Sequence, residues 1–213
     1  MSLDSSNASP HPAHEAGARL ADVANAAAAC ELCKLAAGRT QVVFGVGKPD
    51  ADLLFVGEGP GEQEDLRGEP FVGRAGKLLT QLIEGIGLTR DDVYIANVVK
   101  CRPPGNRDPQ PDEIEACAPW LDRQLSLIEP RVIVTLGNFA TKLLLETKEG
   151  ITKLRGKEFL FTRAGIDATL LPTLHPSAVL RGGGKTLAEA RADFVRVKRV
   201  LARARTSPAS RAT

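Results

Sequence analysis

Apolar residues are spaced along this chain in two ways. Short unbroken runs, ADLLFVGE (51–58), DVYIANVV (92–99) and RVIVTLG (131–137), predict strands buried on both faces. Between and after them, apolar positions recur every three or four residues and predict helices over Gly76 to Ile86, in FATKLLLE (139–146) and from Lys185 to Arg203. The last carries Leu187, Ala190, Phe194, Val197 and Leu201 on one face. An earlier helix is expected from about Glu15 to Ala29, ending at Cys30. Pro111-Asp112-Glu113 opens another, with proline in the first turn and acids at the positive end of the dipole. Its residues Ile114, Cys117, Leu121, Leu125 and Ile128 form a single inward stripe. KEFLFTRAGIDATLLPTL (157–174) predicts two strands around the turn Ala164-Gly165.

Strands alternating with helices imply an α/β fold, a three-layer α/β/α sandwich with a mainly parallel central sheet. Ligands in such sheets bind beyond the carboxyl ends of the strands. That rule places the loops 58–75, 100–110 and 175–185 on one rim. One domain is expected over 15–203, between a disordered leader (1–14) and a disordered tail (204–213) rich in Ser, Pro and Ala.

Composition adds limits. With 213 residues and an apolar share of 43%, the chain can bury one sizeable core. Aromatics are only 4%, so an aromatic in a loop is a candidate for work outside the core. A net charge of +2, from 28 basic and 26 acidic side chains, is too balanced to demonstrate nucleic-acid binding. No apolar run approaches the ~20 residues that span a bilayer, and the N-terminus lacks the order of a signal peptide. A cytoplasmic protein is expected, in which cysteines serve as metal ligands, catalytic groups or core fillers rather than disulfides.

There are four cysteines: Cys30-x2-Cys33, then Cys101 and Cys117. They come together if the N-terminal helix packs beside the helix carrying Cys117. Four thiolates hold either zinc or an iron–sulfur cluster, and spacing alone does not choose. Nothing around them suggests an open coordination position or a redox partner, so the site is expected to be structural, stapling the N-terminal helix to loop 100–110.

GEGPGEQEDLRGEPFVGRAGKLL (57–79), NVVKCRPPGNRDPQPDE (97–113) and LHPSAVLR (174–181) resemble the family 4 uracil-DNA glycosylases. The cysteine pattern, C-x2-C and then C-x15-C, is similar too, and in that family it holds a four-iron, four-sulfur cluster. The likeness runs in collinear order over about residues 30–200. It implies excision of uracil from single- or double-stranded DNA by a water nucleophile, a structural 4Fe-4S cluster and no catalytic metal.

The chemistry asks for an anion-stabilising group at the base, a carboxylate or water near the sugar, and groups that read the flipped base. By resemblance, His175 donates to uracil O2 as charge develops there. Asn97 reads the base: its amide accepts from N3–H and donates to O4, and cytosine reverses both groups. Phe71 stacks on the ring, an interaction worth ~1–3 kcal/mol. Gly59, Pro60 and Gly61 shape the turn against the uracil, where glycines let backbone N–H groups approach closely. Glu58 and Asn106 stand near the attacking water or the sugar.

Pro176, Ser177, Leu180, Arg181 and Lys185 are expected on DNA. Leu180 fills the gap left by the flipped nucleotide, and Ser177 and Arg181 contact phosphates. Lys100, Arg102 and Arg107 are candidates to line the groove, whereas Glu62, Glu64 and Asp65 are expected to be solvated or loop-ordering. No lysine stands out as a Schiff-base nucleophile, and residues 100–110 contain no histidine that might bond to DNA. A monomer is expected, with replication or repair proteins as partners. The competing readings are a non-catalytic DNA-binding or damage-sensing module of the same fold and a zinc-stapled structural protein.

Overall fold

The computed structural model describes residues 12–206. Six strands form one sheet in the order β1-β3-β2-β4-β6-β5. The central strands β2 (Leu53–Gly57), β3 (Tyr94–Asn97), β4 (Val132–Leu136) and β6 (Ile166–Thr173) are mutually parallel. The edges β1 (Val46–Gly47) and β5 (Phe159–Arg163) run antiparallel to their neighbours. β2, β3 and β4 are buried at every position, as their unbroken apolar runs require.

Alternate strand residues feed two cores. Leu54, Val56, Tyr94, Ala96, Ile133 and Leu170 pack under α1 (Pro12–Ala28), α4 (Pro111–Ile128) and α5 (Asn138–Leu144). Leu53, Phe55, Ile95, Val134 and Leu171 pack under α3 (Gly73–Glu84) and α7 (Pro176–Thr206). Phe55 stacks on Phe194 of α7, ring centroids 5.7 Å apart. The expected stripe on α4 faces inward, with Cys117, Leu121, Leu125 and Ile128 buried.

Several details differ from expectation. The first helix begins at Pro12, inside the segment taken as leader, while residues 1–11 of that leader and 207–213 of the tail lie outside the described residues. A short helix, α2 (Glu62–Arg67), occupies the first rim loop. It carries no apolar stripe and is tied by its tertiary contacts, Asp65 accepting from the backbone N–H of Thr40 at 2.9 Å. A further turn of helix, α6 (Ile151–Leu154), precedes β5. The segment 176–182 is helical rather than loop, because the carbonyl of His175 accepts from the N–H groups of Ala178 and Val179. Gly183, at φ 70°, breaks α7 into two helices.

The connection leaving β2 leads to β3 on one side, and the connection leaving β4 leads towards β6 on the other. A crevice opens at the carboxyl ends of strands at such a point of reversal.

Candidate active site

At that reversal lies a cleft of about 730 Å³. Its lining brings together all three expected loops: Glu58, Gly59, Pro60 and Gly61 after β2, Phe71 before α3, Asn106 after β3, and His175, Ser177 and Arg181 after β6. The turn after β4 adds Gly137 and Asn138, neither of which was singled out in the sequence.

Two glycines set the packing at the strand ends beside the cleft; Gly57 and Asn97 lie behind its lining residues rather than among them. Gly57 sits opposite Asn97 in the β2–β3 register. A Cβ on Gly57 would lie 2.4 Å from Asn97 Oδ1 and 2.6 Å from the ring tip of Phe71. The asparagine amide and the phenylalanine ring therefore converge over this one glycine. A Cβ on Gly137 would meet His175 Cβ at 2.9 Å, so the histidine lies close against the β4 turn. Phe71 and His175 are neighbours, with ring centroids 5.6 Å apart.

Asn97 is 1% exposed, and both Oδ1 and Nδ2 are buried with no hydrogen-bond partner. A buried polar group left unsatisfied costs roughly 1–3 kcal/mol, so such an amide calls for an explanation. Its backbone is fixed by the sheet, while Val98 and Val99 continue the pairing by donating to the carbonyls of Gly57 and Glu58.

Phe71 has φ 53°, left-handed backbone that a non-glycine residue adopts at a cost of about 1–3 kcal/mol. Its N–H donates to Glu64 Oε1 at 2.6 Å. Arg90 donates to the carbonyls of Phe71 (3.3 Å) and Pro70 (2.9 Å) and pairs with Glu69. Gly76 allows the approach, since a Cβ there would clash with the carbonyl of Phe71 at 1.7 Å. Glu64 is thus a loop-ordering residue, and its other oxygen accepts from the N–H of Gly61. That N–H faces the carboxylate, not an incoming ligand.

The tautomer of His175 follows from its contacts. The backbone N–H of Ser177 donates to Nδ1 at 3.2 Å, and Ser177 Oγ lies 2.8 Å from the same nitrogen. Nδ1 is therefore an acceptor, which leaves the ring proton on Nε2. Burial, with the positive charge of Arg181 as a lesser cause, lowers the imidazole to about 4, so it is neutral near pH 7. Glu58 moves the other way: burial first, then the charge of Asp108 and a hydrogen bond to it, raise its carboxyl to about 7. Asp108 was not singled out in the sequence. Asn106, at φ 55°, accepts from Arg102 Nε at 2.7 Å.

Other expected site residues fall less simply. Leu180 is 46% exposed at the rim, Lys185 is exposed on α7, and Pro176 is buried at the helix start. Ser177 has its hydroxyl on the imidazole. Arg107 lines the cleft but is paired with Glu113 at 2.6 Å, and this guanidinium holds the Glu113 carboxyl down to about 2. Lys100 does not line the groove. It is 1% exposed, its Nζ donating to the backbone carbonyl of Asn97 at 2.7 Å and to Gln124 Oε1.

The four cysteines line one small cavity behind this region, together with Ala27, Leu35, Arg39 and Trp120. Three N–H donors reach their sulfurs: Trp120 Nε1 to Cys30 at 3.3 Å, the Lys100 backbone to Cys117 at 3.2 Å, and Arg39 to Cys101 at 3.6 Å. Among the described residues, no group of three or more His, Cys, Asp and Glu side chains is arranged to hold a metal ion. Among the same residues, no helix is long and apolar enough to cross a membrane.

Residues 44–201 match the family model of the uracil DNA glycosylase superfamily. The chain is 54% identical over 156 residues to a type-4 uracil-DNA glycosylase of Sulfurisphaera tokodaii, covering 71% of each. It is 47% identical over 165 residues to the type-4 enzyme of Archaeoglobus fulgidus, covering 76% of this chain and 83% of that one. Against a type-5 uracil-DNA glycosylase of Thermus thermophilus, identity is 37% over 149 residues, covering 55% of this chain and 68% of the relative.

Proposed function

This chain belongs to the uracil DNA glycosylase superfamily, on its type-4 side, and from that premise we infer that it is a uracil-DNA glycosylase, a hydrolase of N-glycosyl bonds acting in DNA repair. The observation that carries the reading is the unpartnered amide of Asn97, buried beside Phe71 with neither of its polar atoms satisfied. Uracil supplies what that amide lacks: N3–H for Oδ1 and O4 for Nδ2.

The residues then divide the reaction as follows. The deoxyuridine flips out of the duplex into the cleft, and Phe71 stacks on its ring. The C1′–N1 bond breaks with its electron pair leaving on uracil, whose O2 accepts a hydrogen bond from neutral His175 Nε2–H. The sugar, now cationic, sits near Glu58. A water beside Glu58 and Asn106 attacks C1′, its proton passing to the Glu58 carboxylate, to give an abasic site and the uracil anion, which takes up a proton from solvent as it leaves. Gly59 and Pro60 shape the wall, while Leu180, Arg181 and Lys185 meet the DNA from the rim and α7. No step involves a metal.

For the four cysteines we propose a 4Fe-4S cluster. Four thiols line one largely apolar cavity with three N–H donors directed at the sulfurs, so the donor types suit such a group, and drawing the four sulfurs to ligand spacing is part of what we propose. Bound there, it would act as a structural crosslink joining Cys30 and Cys33, after α1, to loop 100–110 and α4. Brown colour with iron and sulfide in the purified protein supports this, and a colourless preparation containing zinc overturns it. A cytoplasmic monomer that meets replication or repair proteins completes the proposal, and size-exclusion chromatography tests its monomeric state.

The function itself is tested by incubating the protein with a uracil-containing oligonucleotide in EDTA, followed by alkali. Strand breakage at uracil alone is the expected result. An intact strand with DNA still bound would favour the non-catalytic module.

A further inference from the structure

Lys100 is almost wholly buried and, among the described residues, forms no ion pair with a carboxylate. Its Nζ instead bonds to two neutral oxygens, the Asn97 carbonyl at 2.7 Å and Gln124 Oε1 of α4, above the ring of Phe44. Gln124 is itself held, donating to the Phe44 carbonyl at 2.9 Å and to the Tyr94 hydroxyl at 3.3 Å. Burying an amino group in a core is unfavourable unless something in the fold requires its hydrogen bonds.

The requirement lies at the end of β3. Val98 and Val99 bond to the carbonyls of Gly57 and Glu58, and the Lys100 carbonyl accepts from Val43. The chain from 97 to 100 is thus pinned beside β2, and the Lys100 side chain turns back to the carbonyl of Asn97. Without Nζ, that carbonyl would be a bare buried acceptor next to an amide with free donors, and would compete for Nδ2.

We propose that Lys100 is a positioning residue for uracil recognition: its Nζ, braced by Gln124, fixes the carbonyl of Asn97 and so keeps the Asn97 amide open to the base. This rests on reading Asn97 as the base-reading residue.

The test uses holo-protein and two binding measurements that need no turnover: affinity for free uracil by NMR titration, and affinity for an abasic-site oligonucleotide by fluorescence anisotropy. Lys100→Met should weaken uracil binding by about tenfold or more while abasic-site affinity and visible absorbance per chain stay unchanged. Uracil binding within about twofold of the parent, or uracil and abasic-site affinities falling in parallel, would overturn the inference. If Lys100→Met does not accumulate folded, Gln124→Met decides. Removing the brace should weaken uracil binding roughly threefold at constant abasic-site affinity, and an unchanged uracil affinity overturns the proposal. Asn97→Ala separates the two readings. Retained uracil binding there refutes Asn97 itself, whereas its loss together with normal binding in Lys100→Met refutes only Lys100.

Discussion

In the proposed mechanism, Asn97 and His175 are each prepared for one form of ligand. The Asn97 amide has no internal partner to exchange for the base, so its bonds to uracil are not offset by bonds broken inside the protein. Asn97→Asp replaces the donor to O4 with an oxygen, and uracil excision should fall sharply in single-turnover assays. Retained uracil excision with cytosine still rejected would contradict the role. His175→Ala removes the donor at O2 and should slow the single-turnover rate by ~10²–10³; an unchanged rate would refute it. The pH profile separates the two ionisable groups. Glu58 is raised to about 7, so its carboxylate form grows as pH rises through about 7, and the single-turnover rate should rise with it. His175 is lowered to about 4 and is neutral throughout that range, so it adds no second limb there. Glu58→Gln should abolish the limb near 7, and Asp108→Asn, by removing a neighbouring charge, should move it to lower pH. A limb that persists in Glu58→Gln would assign it to another group.

The strands and long helices could be read from the sequence because burial on both sheet faces demands unbroken apolar runs, and one-sided burial demands a stripe. α2 could not, since its one large apolar residue, Leu66, is 51% exposed and its ties are Asp65 to Thr40 and Glu64 to Gly61 and Phe71. The helical start of α7 was hidden for a similar reason: LHPSAVLR carries proline and serine, and glycines follow it. At the site, residue types were legible and side-chain directions were not. Lys100 looks like a groove charge in sequence and proves to be a core residue; Ser177 looks like a phosphate contact and lies on the imidazole. The convergence of elements over Gly57 also gives a test. Gly57→Ala places a Cβ within 2.4 Å of Asn97 Oδ1 and 2.6 Å of Phe71. Both groups must then shift, so excision should be lost while the far-ultraviolet circular dichroism spectrum is kept. Near-normal excision would show that the site tolerates the shift.

Across the whole molecule, the two cores anchor the sheet, and the cysteine cavity joins α1 to α4 and to the loop leaving β3. The proposed cluster would be a crosslink there that closes a long stretch of chain. If that closure is worth about 3 kcal/mol, as for a covalent loop, Cys117→Ala should lower Tm by roughly 6–12 °C and bleach the visible absorbance. An unchanged Tm would leave the cysteines without a structural role. The account as a whole depends on one base meeting an asparagine at the end of β3 and a phenylalanine and a histidine from two separate loops. A crystal structure with free uracil bound tests this most directly. The base should lie against Phe71 with Oδ1 and Nδ2 of Asn97 on N3–H and O4, and His175 Nε2 on O2. Uracil bound elsewhere, or bound in the cleft with the Asn97 amide still unpartnered, would contradict it.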